Sequence, residues 1–351
     1  MKKKKILNIT INIIFIGMIF FAFFCAEKVS QKKGSSVVKE DFTILEKDAE
    51  ISALFYDGQN VWVGTNEGVM VYNPDILEVI KTIDDLKLVY SAGITSSADG
   101  SIWIGHEKGL TQIDSAGQRT DYQYPDIAKG RVNTVLCDGE KIWCGTYNGA
   151  AVLELKQADK EHESWQVQQI LDSSNGLCSN SVNIMIRVQN GILIGSYLDT
   201  ISGGLTFLKE DGEIQTIGTE QGLPHPYVTS LLELPSGDVL VGTGYMEDGG
   251  LAVLSYESGE YKVVDTLGVE DGMPGDKIRS LFYSNQTIWI TTEYDGILMI
   301  SEQDFRNKAF ENGRYLRQEN GLSDNEIKCI VESDKYSWLG GKYGLTLIPK
   351  E

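Results

Sequence analysis

The sequence predicts an all-β fold, a seven-bladed β-propeller built from four-stranded antiparallel blades. Three observations carry that expectation. A short unit, VWVGTNEGVMVY at 61–72, returns as IWIGHEKGLTQI at 102–113, IWCGTYNGAAVL at 142–153 and IWITTEYDGILMI at 288–300. The glycine after its apolar strand falls at Gly64, Gly105, Gly145, Gly195, Gly242 and Gly340, with Thr291 in the sixth copy, so the steps are 41, 40, 50, 47, 49 and 49 residues. Such an interval with several short strands per copy is propeller periodicity, and no 3.6-residue apolar pattern supports a helical solenoid. Finally, the two ends complement each other. The seventh copy stops at LTLIPKE (345–351) without a fourth segment, while DFTILEK (41–47) precedes the first copy without partners of its own. Pairing them completes the last blade and leaves no bare sheet edge.

Each copy opens with an apolar strand: ISALF (51–55), AGITSS (92–97), VNTVL (132–136), VNIMIRV (182–188), VTSLLEL (228–234), IRSLFY (278–283) and IKCIVE (327–332). A short turn follows, as in DGQN, ADGS, DGEK and PSGD, in keeping with a chain that has 37 glycines and only 7 prolines. The second strand is apolar on both faces, as expected where a sheet is sandwiched between neighbouring sheets. Trp62, Trp103, Trp143, Trp289 and Trp338 hold one equivalent position in it, with Leu193 and Leu240 in the fourth and fifth copies. That position is read as the wedge between blades, where an indole adds a few kcal/mol of burial. A Gly-flanked loop and a third strand come next. A more polar fourth strand closes the unit, as in EVIKTI, RTDYQY, WQVQQIL, IQTIG, YKVVDTL and GRYLRQ.

The domain organisation expected is a leader (1–25), a tether (26–38) and the propeller (39–351). MKKKK followed by the apolar run Ile6–Phe24 has the composition of a secretory leader. With Cys25 directly after it and a polar AEKVSQKKGSS segment beyond, it resembles a bacterial lipoprotein signal, although Phe24 stands where that family has a small residue. The resemblance implies lipidation at Cys25. The alternative is that the 19-residue run Ile6–Phe24 stays as a membrane anchor. Either way the expected location is the cell envelope outside the cytoplasm, periplasmic or surface-exposed. Net charge is −19, and without Lys2–Lys5 only 27 of the 31 basic residues face 50 acidic ones. Such a surface repels phosphate backbones, so nucleic acid is not an expected partner. Cys137, Cys144, Cys178 and Cys329 show no metal-ligand spacing and are read as buried thiols.

The stretches GLPHPYVTSLLELPSGDVLVGT (222–243), GMPGDKIRSLFYSNQTIWITT (272–292), GLSDNEIKCIVESDKYSWLGG (321–341) and GLCSNSVNIMI (176–186) resemble the two-component-regulator propeller repeat. That repeat forms the periplasmic sensor halves of some bacterial hybrid histidine kinases. The resemblance covers about 40–351 and implies the fold. No kinase or DNA-binding segment follows the repeats in this sequence, so a stand-alone propeller is expected and the signalling output is not carried over.

In a propeller, the loops entering the innermost strands and those after the second strands open on one face, around the central channel. Tyr147, Tyr197, Tyr245, Tyr294 and Tyr343 recur in five of those loops, Asp248 shares the loop of Tyr245, and Glu67 lies in one of the two loops without a tyrosine. Phenols mixed with carboxylates suit stacking on sugars or capture of peptide side chains; the competing reading is that the tyrosines merely cap the blade cores. The function expected is a membrane-tethered binding or sensor-like propeller that takes a carbohydrate, a peptide or an envelope protein. One alternative is a lyase or hydrolase using His106 or His225 at the mouth, with Glu107 beside His106 as a carboxylate partner. Streptogramin lyases, seven-bladed propellers with a catalytic His, supply that analogy. His162 falls in a polar surface insert. The other alternative is an envelope assembly scaffold. No cofactor is expected. No metal is expected either, because Asp199, Glu247 and Asp248 lack a DxDxDG frame.

Overall fold

The computed structural model describes residues 39–40, 42–123, 130–157, 163–199 and 202–350. The leader with Cys25, the tether and His162 lie outside the described residues. The chain divides into two compact units, Met1–Glu40 and Asp41–Glu351. Among the described residues no helix is long and apolar enough to cross a membrane.

The second unit is a ring of seven four-stranded antiparallel sheets. After β1 (Thr43–Leu45), the first blade is β2 (Ile51–Tyr56), β3 (Val61–Thr65), β4 (Val69–Asn73) and β5 (Glu78–Ile83). The second is β6 (Ile94–Ser96), β7 (Ile102–His106), β8 (Gly109–Ile113) and β9 (Arg119–Gln123). The third is β10 (Val132–Asp138), β11 (Lys141–Thr146), β12 (Gly149–Gln157) and β13 (Glu163–Leu171); the fourth is β14 (Val182–Val188), β15 (Gly191–Ser196), β16 (Leu205–Lys209) and β17 (Ile214–Ile217). The fifth comprises β18 (Val228–Glu233), β19 (Val239–Tyr245), β20 (Asp248–Glu257) and β21 (Glu260–Leu267). The sixth comprises β22 (Ile278–Ser284), β23 (Thr287–Thr292), β24 (Ile297–Ser301) and β25 (Arg314–Leu316), with the short helix α1 (Glu302–Arg306) between its last two strands. The seventh has β26 (Ile327–Glu332), β27 (Tyr336–Gly341) and β28 (Gly344–Pro349), and β1 is its outer strand, with Thr43, Ile44 and Leu45 opposite Leu347, Thr346 and Leu345. The terminal strand therefore shuts the ring as the strand count requires.

The core lies between blades. The five tryptophans at the repeat position, Leu193 and Leu240 are buried, and the clusters they join draw residues from two neighbouring sheets, as where Trp103 packs with Val132 and Ile142 of the next blade. Trp103 also meets Trp165 edge to face at 5.2 Å. The repeat glycine has a packing cause. A Cβ on Gly145 would stand 2.4 Å from Thr134 Cγ2 and 2.5 Å from Val182 Cγ1 of the following blade, and one on Gly105 would stand 2.6 Å from Val132 Cγ1. Innermost strands approach too closely there for any side chain. Thr291, the exception, is accommodated by spending its hydroxyl, which donates to the Ile327 carbonyl at 2.7 Å and accepts from the Ser280 N–H at 2.9 Å.

One feature departs from the regular pairing that the sequence pattern implies. In six of the seven innermost strands the register against the second strand shifts by one residue, at Ser52, Asn133, Asn183, Thr229, Arg279 and Lys328. Each of these is a β-bulge residue, released from the ladder and free to re-aim its side chain.

Candidate functional site

The bulges build the site. The innermost strands β2, β6, β10, β14, β18, β22 and β26 contact one another in a ring, and all six bulge side chains line one cavity of about 250 Å³ at its mouth. The rest of the wall comes from the two loop sets the sequence points to. Val89, Tyr90 and Ser91 lead into β6, and Asn66, Tyr147 and Tyr197 follow second strands.

Four of the bulge residues also latch blades together. Asn133 Nδ2 donates to the Val182 carbonyl at 2.9 Å, Asn183 Nδ2 to Val228 at 3.1 Å, and Thr229 Oγ1 to Ile278 at 2.6 Å. Each acceptor is the first residue of the next innermost strand. Ser52 Oγ donates to the Val89 carbonyl at 2.5 Å. Where the sixth blade meets the seventh and the seventh meets the first, the latch is ionic. An Arg279 Nη contacts Glu326 at 3.3 Å, and Lys328 bridges Glu326 (3.4 Å) and Glu50. Burial alone would push the Glu50 carboxyl up, but the Lys328 ammonium, the Asn66 amide at 2.8 Å and the Lys342 charge outweigh it and hold the group below the usual range. Beside these contacts Lys277, only 6% exposed, pairs with Glu293.

The sequence-predicted tyrosines part company. Tyr147 and Tyr197 line the cavity. The Tyr147 hydroxyl accepts from Arg131, whose guanidinium lies 3.9 Å from the Tyr90 ring centroid and donates through Nε to Asn133 Oδ1 at 3.0 Å. Tyr197 packs at a tilt against buried Tyr227 at 4.9 Å, and Tyr227 meets Tyr245 edge to face at 5.5 Å, an aromatic ladder leading from the cavity to the β19–β20 hairpin. Burial raises the phenol pKa values of Tyr90 and Tyr197, so both are neutral donors. Tyr294 is exposed, its hydroxyl 3.1 Å from a Glu293 oxygen. Tyr343 and Glu67 border a different groove of about 510 Å³ beside the closing strand, together with Glu46, Asp48 and Lys342, and Glu67 pairs with Lys87 at 3.1 Å. Asp248 is exposed at the tip of the β19–β20 hairpin, opposite Tyr245. The segment read as a long fifth loop is thus an extension of that hairpin, which Gly244, Gly249 and Gly250 permit by adopting φ values of 141°, 155° and 151°.

The two described histidines do not line the cavity. His106 is 3% exposed, its Nε2 3.1 Å from Thr111 Oγ1, and Thr111 in turn donates to Asp121 at 2.6 Å. Burial drives its pKa down to about 4, so at neutral pH it is an uncharged ring that accepts the Lys108 N–H through Nδ1. Its neighbour Glu107 donates its own backbone N–H to the Lys87 carbonyl at 3.0 Å. His225 accepts the Tyr227 N–H at 3.0 Å and packs edge-on to that ring at 4.9 Å; burial lowers its pKa and the Asp248 charge partly restores it. The four described cysteines are free, with Cys144 and Cys329 buried and Cys137 and Cys178 partly so. Among the described residues no group of three or more His, Cys, Asp or Glu is placed to hold a metal ion.

No protein-family model matches the chain, and no curated protein matches it. Solved structures do. The extracellular domain of the hybrid two-component system protein BT4673 of B. thetaiotaomicron superposes with a TM-score of 0.67 at 16% identity, covering 90% of this chain and 43% of that one. This chain therefore spans less than half of that protein domain. Virginiamycin B lyase of Staphylococcus aureus gives 0.61 at 13% identity, over 89% of this chain and 99% of the lyase. The computationally designed Ika8 protein gives 0.56 at 14% identity, over 90% and 100%. An extracellular domain, a lyase and a designed protein are alike here at 13–16% identity, so these likenesses establish the fold alone.

Proposed function

We propose that the chain is a membrane-tethered, extracytoplasmic binding or sensor-like propeller that takes a small polar ligand, carbohydrate in class, into the mouth of its central channel. The observation carrying this reading is the ring of six β-bulges, which turns one polar side chain per blade into a single cavity walled by Tyr90, Tyr147 and Tyr197. Bulges re-aim side chains at the cost of ladder pairing, and aromatic walls with convergent polar groups suit a sugar ring. The likeness to the extracellular domain of a two-component system protein supports an extracytoplasmic sensing role, as does the repeat resemblance. A lyase or hydrolase centred on His106 or His225 has less support, since neither residue lines the cavity. The tether is assigned to Cys25 lipidation, with retention of the run 6–24 as the other route.

A glycan array probed with the full chain, followed by isothermal titration of the hits, tests the binding. Tyr147→Ala and Tyr197→Ala should each weaken a true hit at least tenfold; hits indifferent to both substitutions would place the ligand elsewhere. Labelling of the native chain but not Cys25→Ser with a radioactive fatty acid tests the anchor.

A further inference from the structure

Resting on that binding reading, we infer that the mouth selects a hydroxylated carboxylate, a sugar acid of the hexuronate class, with Arg279 anchoring the carboxylate. The argument starts from charge. The chain carries −19 overall, yet the mouth has a surplus of positive charge. Arg279 and Lys328 line the cavity, and Arg131 lies against its Tyr90, Tyr147 and Asn133 walls. The carboxylates set against these three cations are Glu50 and Glu326. Lys328 engages both of them, and Glu50 also takes the Asn66 amide. Glu293 is occupied by Lys277, and the Lys342 charge adds to the positive field at Glu50. Among the described residues Arg131 has no carboxylate partner and Arg279 has one, Glu326 at 3.3 Å.

Arg279 has donors to spare. A guanidinium offers five N–H groups in a fork that fits a carboxylate, and its Nε is buried with no hydrogen-bond partner. A buried N–H without an acceptor is unfavourable, and a ligand oxygen relieves it. In four of the other five blades the bulge residue is neutral and already holds a carbonyl of the next blade, so the cationic pair at Arg279 and Lys328 marks one side of the ring. The opposite wall carries the phenols of Tyr90 and Tyr147 and the amide of Asn183, which can bond hydroxyls and cover a ring face. At about 250 Å³ the cavity falls below the roughly 300–1,000 Å³ of drug-sized sites. It therefore holds one sugar ring, either as a free acid or as the acidic end of a longer glycan reaching out past Tyr147 and Leu198.

The test is titration calorimetry of the full chain with glucuronate, galacturonate, glucose, a uronate-terminated tetrasaccharide and the blocked peptide acid acetyl-Gly-Gly. One of the two uronates, or the tetrasaccharide ending in one, should bind at least tenfold more tightly than glucose. The preference should shrink with added salt, and Arg279→Gln should abolish it while the unfolding midpoint stays within a few degrees. Binding of the free acid as tight as the tetrasaccharide assigns the site to the monosaccharide; tetrasaccharide binding alone assigns it to a glycan end; both support the inference. If Arg279→Gln unfolds the chain, Arg131→Gln is read in its place and should weaken the acid more than glucose. Equal binding of glucose and the acids overturns the inference and leaves the carbohydrate reading standing. Tighter binding of the peptide acid overturns both, as does binding of none of the five, and an Arg279→Gln chain that keeps its full preference for the acid overturns the anchor.

Discussion

Removing the closing strand is the most direct perturbation of this fold. A chain beginning at Asp48 lacks β1 and with it three residue pairs against β28. It also loses the half-buried side chains of Phe42 and Leu45, which pack on the seventh-blade clusters. About three hydrogen bonds at ~1 kcal/mol each contribute ~3 kcal/mol. Two half-buried apolar side chains contribute ~2 kcal/mol, and uncovering part of Leu345 and Leu347 adds ~2 kcal/mol more. Against this, the chain no longer orders three strand residues, which returns roughly 4–5 kcal/mol of conformational freedom. The net loss is ~2–3 kcal/mol. With an unfolding entropy of about 2.1 cal/mol/K per residue over roughly 310 residues, the midpoint should fall by ~3–5 °C. Circular dichroism melts of chains beginning at Val38 and at Asp48 measure it. Tyr72 gives an independent sign, because its buried hydroxyl donates to Glu46 across the seam and is orphaned by the truncation. Identical midpoints in the two chains would show that β1 contributes nothing to closure, and the latch account of the ring would fail with it.

Three further outcomes follow from the packing. Gly145→Val forces a side chain into a gap that already places a virtual Cβ 2.4 Å from Thr134, and should cost ~1–3 kcal/mol or more in a urea titration, whereas Thr291→Gly loses two hydroxyl bonds and should cost ~1–3 kcal/mol for a different reason. His106 has a native pKa of about 4 against an ordinary 6.5, so the unfolded chain binds the extra proton between those values. Native stability should therefore fall by up to ~3 kcal/mol as pH drops from about 6.5 to 4, and His106→Asn should flatten that part of the difference curve measured by urea midpoints. Buried Cys144 and Cys329, the latter thiol pushed up to about 12 by burial, should resist a thiol-reactive disulfide reagent at pH 8 until denaturant unfolds the ring; fast labelling of either would contradict the packing between blades.

The architecture was legible because a propeller writes the same packing problem seven times. Trp62, Trp103, Trp143, Trp289 and Trp338 answer one wedge, and the repeat glycines answer one close approach, so neither needs long-range information to be read. Closure was legible from counting strands. The site was legible only in outline. Loop position brings Tyr147 and Tyr197 to the cavity wall, but it says nothing of which way a side chain leans, and Tyr245, Tyr294 and Tyr343 do not line that cavity. Tyr227 escaped notice because it is buried between Tyr197 and Tyr245, touching both rings. His106 looked available because it ends an apolar strand near the loops; Thr111 and Asp121 on the neighbouring strands enclose it instead.

The bulge residues were missed although their signal was present. In I-S-A, V-N-T, V-N-I, V-T-S, I-R-S and I-K-C a polar residue directly follows the apolar residue that opens the innermost strand. In regular pairing each would be driven against a neighbouring sheet, where an unpaired Arg or Lys costs several kcal/mol. The register shift resolves the conflict by turning that one residue to the channel mouth, where the neutral members reach the next blade's carbonyl. On the binding reading proposed above, a single position would serve both assembly and recognition, with unequal freedom around the ring. Asn133, Asn183 and Thr229 are bound by their latching duty, so substituting them should disturb blade contacts before it disturbs binding. Arg279 latches through one end of a five-donor group, so on the binding reading proposed above its remaining donors are left for a ligand where the sixth blade meets the seventh.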